Sequence, residues 1–356
     1  MNRFDFAIVG AGIAGASLAA ELAPHGSIVI LEEEGVAGYH ATGRSAAFWS
    51  ETYGGPLVQP LTTGSRAALD PFLEPLGSLH IGRAEDAALI DAFLAEFDGS
   101  GVELFPVDPA AHVPGLRAEW TLGVMEPSST YIDVAALHAD ALARARRGGA
   151  VVRLGAGLRS AARDGGGDWR IETADGAVAA GILIDAAGAW ADVVAERCGI
   201  APIGIQPYRR TLAQLRTDPA VPMELPHIGD ISGTFYFKPE AGGRLWLSPH
   251  DETPSLPTDA QPEELDVAIA IDRLEHVVDW RVAAVERKWA GLRSFAPDRL
   301  PVYGFDRAEP GFFWCAGQGG FGIQTAPAAA RLAAAVLVGG TPALDPLPYA
   351  PDRFGR

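Results

Sequence analysis

Cysteine, lysine and membrane-length apolar runs are scarce or missing here, and each shortage excludes something. The 356 residues hold two cysteines, Cys198 and Cys315, far apart and without a CxxC neighbour. That excludes a disulfide framework, a thiol redox pair and a cysteine metal site; both thiols are expected reduced and buried, and no metal is expected. Lys238 and Lys288 are the only lysines, and the formal charge is −17, which argues against nucleic acid or an anionic membrane as partner. No apolar run approaches the ~18 residues of a membrane span, and no signal peptide precedes the first strand-like run, so a cytoplasmic location is expected. There is no internal repeat and no low-complexity tail.

What is present is an ordinary globular composition, 48% hydrophobic and 21% charged, in a chain long enough for a large core and two interleaved domains. Two glycine-rich segments stand near its opposite ends. The first, Gly10-Ala11-Gly12-Ile13-Ala14-Gly15, follows the apolar run Phe6–Val9 and opens an Ala/Leu-rich helix over residues 13–22; a second apolar run over 27–31 ends at Glu32, with Glu33 beside it. Strand, glycine turn, helix, strand and acid at this spacing form a dinucleotide site. Gly10 permits the turn, Gly12 lets backbone amides reach a pyrophosphate, and Gly15 lets helix and strand pack closely. The helix N-terminus attracts phosphate, and Glu32 suits a ribose diol.

The second segment, Gly317-Gln318-Gly319-Gly320-Phe321-Gly322, follows a strand at 312–316 and leads through Ile323, Gln324 and Thr325 to a helix expected over 326–337. A helix dipole aimed out of a glycine loop suits a redox ring that gains negative charge on reduction. One cofactor held at both ends points to a flavin rather than a nicotinamide.

Between the loops, the stretch from Gly38 to Ala47 reads as a loop entering a helix capped near Thr42 or Ser45, with Arg44, Ser45 and Ala46 within reach of a cofactor. The βαβ rhythm lapses over 53–125, apart from a strand at 78–82, and resumes near Asp133 with a helix over 134–147. The apolar strand from Ile182 stops at Ala186, Ala187, Gly188, Ala189 and Trp190, small residues that let a ligand approach the backbone. Residues 203–289 are strand-rich, with a hairpin across Ala241-Gly242-Gly243. In Phe235-Tyr236-Phe237, alternation turns Tyr236 away from both phenylalanines and toward a pocket.

The segments VGAGIAGASLAAEL, GYHATGRSAAFWSETYG, ILIDAAGAWAD, PYRRTLA, FYFKPEAGG, KWAGLRSFAPD and AGQGGFGIQTAP resemble the FAD-dependent D-amino-acid oxidase/dehydrogenase (DAO) family, with the strongest likeness to bacterial D-arginine dehydrogenase. The resemblance implies a Rossmann-type FAD-binding domain (1–52, 132–203 and 290–342) interleaved with an antiparallel-sheet substrate domain (53–131 and 204–289), then a tail over 343–356. It implies FAD along Gly10, Gly12, Ile13, Ala14, Gly15, Glu32, Glu33, Arg44, Ser45, Ala46, Ala187, Gly188 and Trp190. Gly317, Gly319, Gly320, Gly322, Ile323 and Gln324 lie at the ring. Arg210 and Arg293 match carboxylate-binding arginines, Tyr53 and Tyr236 match hydroxyls around the substrate, and Gly320 and Gln324 close its pocket.

The implied reaction is oxidation of a D-amino acid, with the imino acid then hydrolysed to a 2-oxo acid and ammonia. Two departures bear on the side chain. The acid that the D-arginine enzyme places on the first roof strand is missing from Gly77–Gly82, and its active-site histidine is replaced by Phe48. A neutral or hydrophobic side chain is therefore expected, unless Glu51 restores a cation site. Neither lysine matches the flavin-facing lysine of oxidase relatives, so a quinone or another carrier is the expected acceptor. Oxidation of glycine, sarcosine or another secondary amine, and a flavin relay subunit without its own substrate, remain the competing readings.

Overall fold

The computed structural model describes residues Met1–Gly355. Its first sheet is built on Asn2–Val9, which pairs in parallel with Ile28–Leu31 on one side and Gly176–Asp185 on the other. Val151–Arg153 extends it beyond Ile28–Leu31. The strand Gly176–Asp185 is long enough for two partners on its second edge. Its first half pairs antiparallel with Trp169–Thr173, and its last residues pair in parallel with Phe312–Ala316. Apolar side chains cover both faces, as a buried parallel sheet requires: Ile8, Ile30 and Ile184 pack on one, Ala7, Val29 and Leu183 on the other.

Alanine sets the spacing of the helices on the first face. Ile13–Leu22 packs against Val134–Arg147 and Gly322–Leu337 through Ala16, Ala19, Ala141, Ala145, Ala329 and Ala333, all buried. Small side chains bring these backbones close, which positions two helix N-termini over one cavity.

The second sheet runs in the order Gln318–Gly319, Arg281–Phe295, Gln206–Asp218, Arg244–Ser248, Tyr236–Glu240, His227–Asp230, Ser78–Arg83, Trp120–Glu126, Phe105–Val107. It is antiparallel except where His227–Asp230 runs parallel to Ser78–Arg83, because these neighbours come from separate stretches of chain rather than from a hairpin. Its backbone is the long pair Gln206–Asp218 and Arg281–Phe295. One face buries Phe235, Phe237, Leu245 and Leu247 under the helix Glu264–Glu275; the opposite face carries Tyr236. This is the DAO-like α/β fold that the resemblance implied.

Two local expectations fail. The segment after Gly38 forms one 3-10 turn, Ala41–Arg44, and no helix. Ala47 adopts φ +57°, and Phe48–Trp49 becomes a strand paired with Tyr131 and Thr130, so the ladder wins over local helix propensity. The helix expected to start at residue 326 begins at Gly322 and takes Pro327 inside; both the amide and the hydroxyl of Thr325 bond back to Phe321 O. Cys198 and Cys315 are free and buried. Among the described residues no helix is long and apolar enough to cross a membrane, and no group of three or more His, Cys, Asp or Glu could hold a metal ion.

Asp185 ends its strand fully buried. Its Oδ1 accepts from the Ala187 amide at 3.0 Å, while Oδ2 has no partner. Burial, and secondarily Asp192, pushes its acid well above the usual range. A raised acid pKa costs stability above the unfolded value, and the cost fades as pH falls toward about 4. Asp185→Asn should therefore raise Tm at pH 7 and lose that gain near pH 4, measured by thermal melts at both; a lower Tm at pH 7 would contradict this.

Candidate active site

One cavity of about 510 Å3 is lined from Leu31, Glu32 and Gly12 through Arg44 and Gly188 to Tyr53, Arg210, Tyr236, Arg293 and Gly320. At its first end Gly10 has φ +104°, and a Cβ there would stand 2.5 Å from Ala186 O. Gly15 does not line the cavity; a side chain on it would collide with Gly10 O, so its part is helix–strand packing. The helix Ile13–Leu22 has no side-chain cap of its own. Thr42, expected to cap its own segment, instead accepts from the Ile13 amide at 3.0 Å, leaving the rest of the first turn for an anion. His138 Nε2 lies 2.8 Å from Ala11 O, a brace on the loop that sequence reading missed; burial lowers its pKa and keeps it neutral.

Glu32 accepts from the Ala11 amide at 2.7 Å and the Glu34 amide at 3.0 Å, and its remaining lone pairs suit a ribose diol. Glu33 also lines the cavity, but its carboxylate is taken by Arg159 at 3.0 and 3.1 Å. Ser45 holds the Ala47 amide at 3.0 Å, and Ala46 lines the wall in the same bend. Arg44 lines the cavity, and its guanidinium donates to Ala260 O at 2.9 Å and Ala290 O at 3.2 Å and pairs with Asp259, so it clasps the 254–262 loop onto that wall. Thr258 brings that loop onto the cavity wall, and Ala260 packs among Ala189, Ala290 and Leu292, with Trp190 alongside.

At the other end Gly319 and Gly320 line the cavity, whereas Gly317 (φ +71°) packs on Ala296 and Ile205 behind it. A Cβ on Gly320 would strike Tyr53 Oη and Arg293 Nη2, which brings the glycine loop, an aromatic hydroxyl and a guanidinium to one point. Gly322, Ile323 and Gln324 begin a helix without a side-chain cap. Gln324 is a clamp: its amide nitrogen donates to Tyr53 O and Thr62 Oγ1, both at 2.9 Å, and its oxygen accepts from the Ser50 amide. Two helix N-termini at one cavity, glycines without room for a Cβ and a ribose-ready acid fit an extended FAD.

The second sheet supplies the roof. Arg210 opposes Gly291, and Tyr208 opposes Arg293, so the alternation of paired strands places both guanidiniums on one face. Arg210 is 3% exposed; its Nε donates to Asp251 O at 2.8 Å and its Nη1 is buried without a partner. Burial, and then the nearby Arg299, pushes Arg293 down to about 9, which leaves it cationic at neutral pH. Tyr236 lies beside Arg210 and Ser248, and burial raises its pKa. Phe48 stands between Tyr53 and Tyr236, with ring centroids at 5.3 and 6.0 Å, and packs tilted against His227 at 4.6 Å. His227 is neutral, its pKa held far down by burial.

Glu51 turns from the cavity to accept from Thr63 at 2.6 Å, so it restores no cation site. Glu126, paired opposite Ser78 on the strand that lacks the roof carboxylate, is consumed by Ser50, Thr52 and the Glu51 amide. Neither lysine lines the cavity. Lys238 is boxed by Tyr131 and Trp246 and lowered by burial to about 8; Lys288 pairs with Glu264.

The clasp on Arg44 generates a test at the cofactor itself. Asp259→Ala should speed FAD release about 2- to 5-fold, the scale of a half-exposed ion pair. Flavin fluorescence recovery on dilution measures it, and an unchanged rate would remove the 254–262 loop from cofactor retention.

The DAO family, described as FAD dependent oxidoreductase, matches residues 5–336. The chain is similar to glycine oxidase of Pseudomonas aeruginosa, 27% identical over 375 residues with 97% of each chain covered. It is also similar to mitochondrial dimethylglycine dehydrogenase of Homo sapiens, 25% identical over 393 residues with all of this chain covered; it spans only 45% of that relative's length. Among solved structures it resembles glycine oxidase from Geobacillus kaustophilus, with TM-score 0.84, 23% identity and 98% of each chain covered. L-Proline dehydrogenase from P. horikoshii gives TM-score 0.87 at 19% identity, covering 100% of this chain and 98% of that one; likeness at these identities carries the fold alone. None of these relatives is a D-arginine dehydrogenase, so the narrower resemblance rests on the quoted segments only. With the cradle, the roof and the family match taken together, the chain belongs to the DAO family of FAD-dependent oxidoreductases.

Proposed function

We propose that this enzyme oxidises a small α-amino acid with a neutral or apolar side chain, in the D configuration, at the carbon–nitrogen bond. The observation that carries the reading is the pair Arg210 and Arg293 on the roof, with no carboxylate lining that end of the cavity. The unpartnered Nη1 of Arg210 and the Arg293 edge beside Tyr53 Oη offer two cationic donors to one carboxylate, which fixes the face its α-carbon presents. Phe48, Tyr53 and Tyr236 leave an aromatic wall for the side chain.

Bound FAD supplies the two-electron acceptor for the α-C–H bond. The chain's own work is orientation, exclusion of water and control of charge. No histidine lines the reacting end; His40, on the cavity wall, pairs with Glu34 at 2.9 Å. The substrate therefore binds with its amine neutral or gives the proton to water. The imino acid takes up water to become a 2-oxo acid and ammonia. The expected acceptor is a quinone or similar carrier, since neither lysine lines the cavity.

A second reading, oxidation of glycine, sarcosine or another N-substituted glycine with release of hydrogen peroxide, is favoured by the similarity to glycine oxidases and dimethylglycine dehydrogenase. Anaerobic mixing of the yellow protein with D- and L-amino acids, glycine, sarcosine and dimethylglycine separates the two by which ones bleach the oxidised flavin band. Bleaching by D-isomers supports the first reading and bleaching by glycine or its N-methyl forms the second. In either case Arg293→Ala should cut kcat/KM about 10²- to 10³-fold; unchanged turnover would sink the carboxylate clamp, and no bleaching by any of these substrates would leave the relay reading.

A further inference from the structure

Just outside the cavity wall, Glu252 sits among three arginines. Its carboxylate meets Arg299 Nη2 through both oxygens, at 2.9 and 3.0 Å. The same Oε1 lies 3.4 Å from Arg210 Nη2 and 3.5 Å from Arg293 Nη1. Glu252 is not among the residues lining the cavity, and its side chain is about one-third exposed. The segment that carries it crosses the edge of the roof: His250 has φ +54°, Asp251 accepts from the Thr211 amide at 2.7 Å, and Thr253 pairs with Arg209. Glu252 therefore faces the outer edge of the guanidiniums whose inner edges face the cavity.

The distances decide what Glu252 does. Contacts of 3.4 and 3.5 Å are at the long limit for a hydrogen bond and orient Arg210 and Arg293 weakly; Arg210 is braced at 2.8 Å on Asp251 O, and Arg293 packs over the Tyr53 ring. Arg299 takes the close, two-pronged bond. Toward the two cavity arginines Glu252 acts through its charge, spending on them part of the attraction that an incoming carboxylate would otherwise receive.

Resting on the carboxylate clamp proposed above, we infer that Glu252 is an internal counter-anion that competes with the substrate carboxylate for Arg210 and Arg293 and so sets the affinity of the site for anions. It keeps the clamp from saturating with any small carboxylate, the 2-oxo acid product included, so that retention also requires the side-chain wall and the amine. Arg299 is the other half of the device, because it draws Glu252 outward.

The test is a gain of affinity, which structural damage does not produce. Benzoate is titrated into the FAD-loaded protein and the shift of the flavin absorption band is followed. Glu252→Gln keeps the size and an acceptor oxygen but removes the charge; screened between partly buried and solvent-like limits, that charge is worth about 3- to 50-fold in anion affinity. Benzoate should bind tighter by that factor in Glu252→Gln, and weaker than wild type in Arg299→Asn, a residue that tolerates the φ of +67° found there. Benzoate that binds wild type but binds Glu252→Gln equally or more weakly overturns the inference and leaves the clamp intact. Benzoate that binds neither protein overturns the clamp itself, and the inference with it.

Discussion

Two like charges largely withdrawn from water at one end of one cavity are the constraint around which the rest is arranged. A buried guanidinium without an anion is costly, and this fold keeps two of them together. It does so by placing them on the longest strand pair of the roof, bracing one on a backbone carbonyl, packing the other against a glycine and a tyrosine, and stationing Glu252 just beyond both, with the Asp251 carboxylate 3.8 Å from Arg210 Nε. The shortfall of negative charge inside the cavity is what a substrate carboxylate would make good.

The opposite end has the opposite sign. Glu32, Glu33 and Glu34 line the wall where the first helix begins, yet two of the three are spoken for, by Arg159 and by His40. The remaining acid is oriented by amides of the loop it follows. A chain with formal charge −17 thus hides a cationic site inside an acidic exterior. Net charge speaks to partners of the whole surface and says little about a ligand that meets one wall.

How much of this could be read from residues alone followed the range of the interactions. The first glycine loop, the strand ending at Asp185, the hairpin after Tyr236 and the face of Tyr236 rest on local periodicity and turn chemistry, and they were legible. Thr42 was recognised as a cap but assigned to the wrong helix, since the helix it serves begins 29 residues earlier. Arg44 lines the cavity, and its partners Asp259, Ala260 and Ala290 lie more than two hundred residues away in sequence, out of reach of any local reading. His138 on Ala11 O, Glu126 beneath the 50–52 turn and Glu252 beside the arginines leave no periodic trace, because each is a product of topology. The clamp residues entered through the family resemblance, and a lone arginine in a strand would not have distinguished itself from a surface ion pair.

The shared edge of Gly176–Asp185 carries a consequence for the order in which this protein is built. Its last residues wait for Phe312–Ala316, and the glycine loop after that strand lies across the cavity from a loop at residue 10. On a ribosome, the dinucleotide cradle and most of the roof emerge well before the segment that completes the ring end. Pairings of such sequence separation form late, because the intervening chain must first be ordered. A nascent chain not yet extended to Phe312–Ala316 would lack the wall that residues 318–324 supply and would hold an open trough in place of a cavity. Flavin capture and burial of the clamp are thereby coupled to the docking of Gly322–Leu337, when the walls meet.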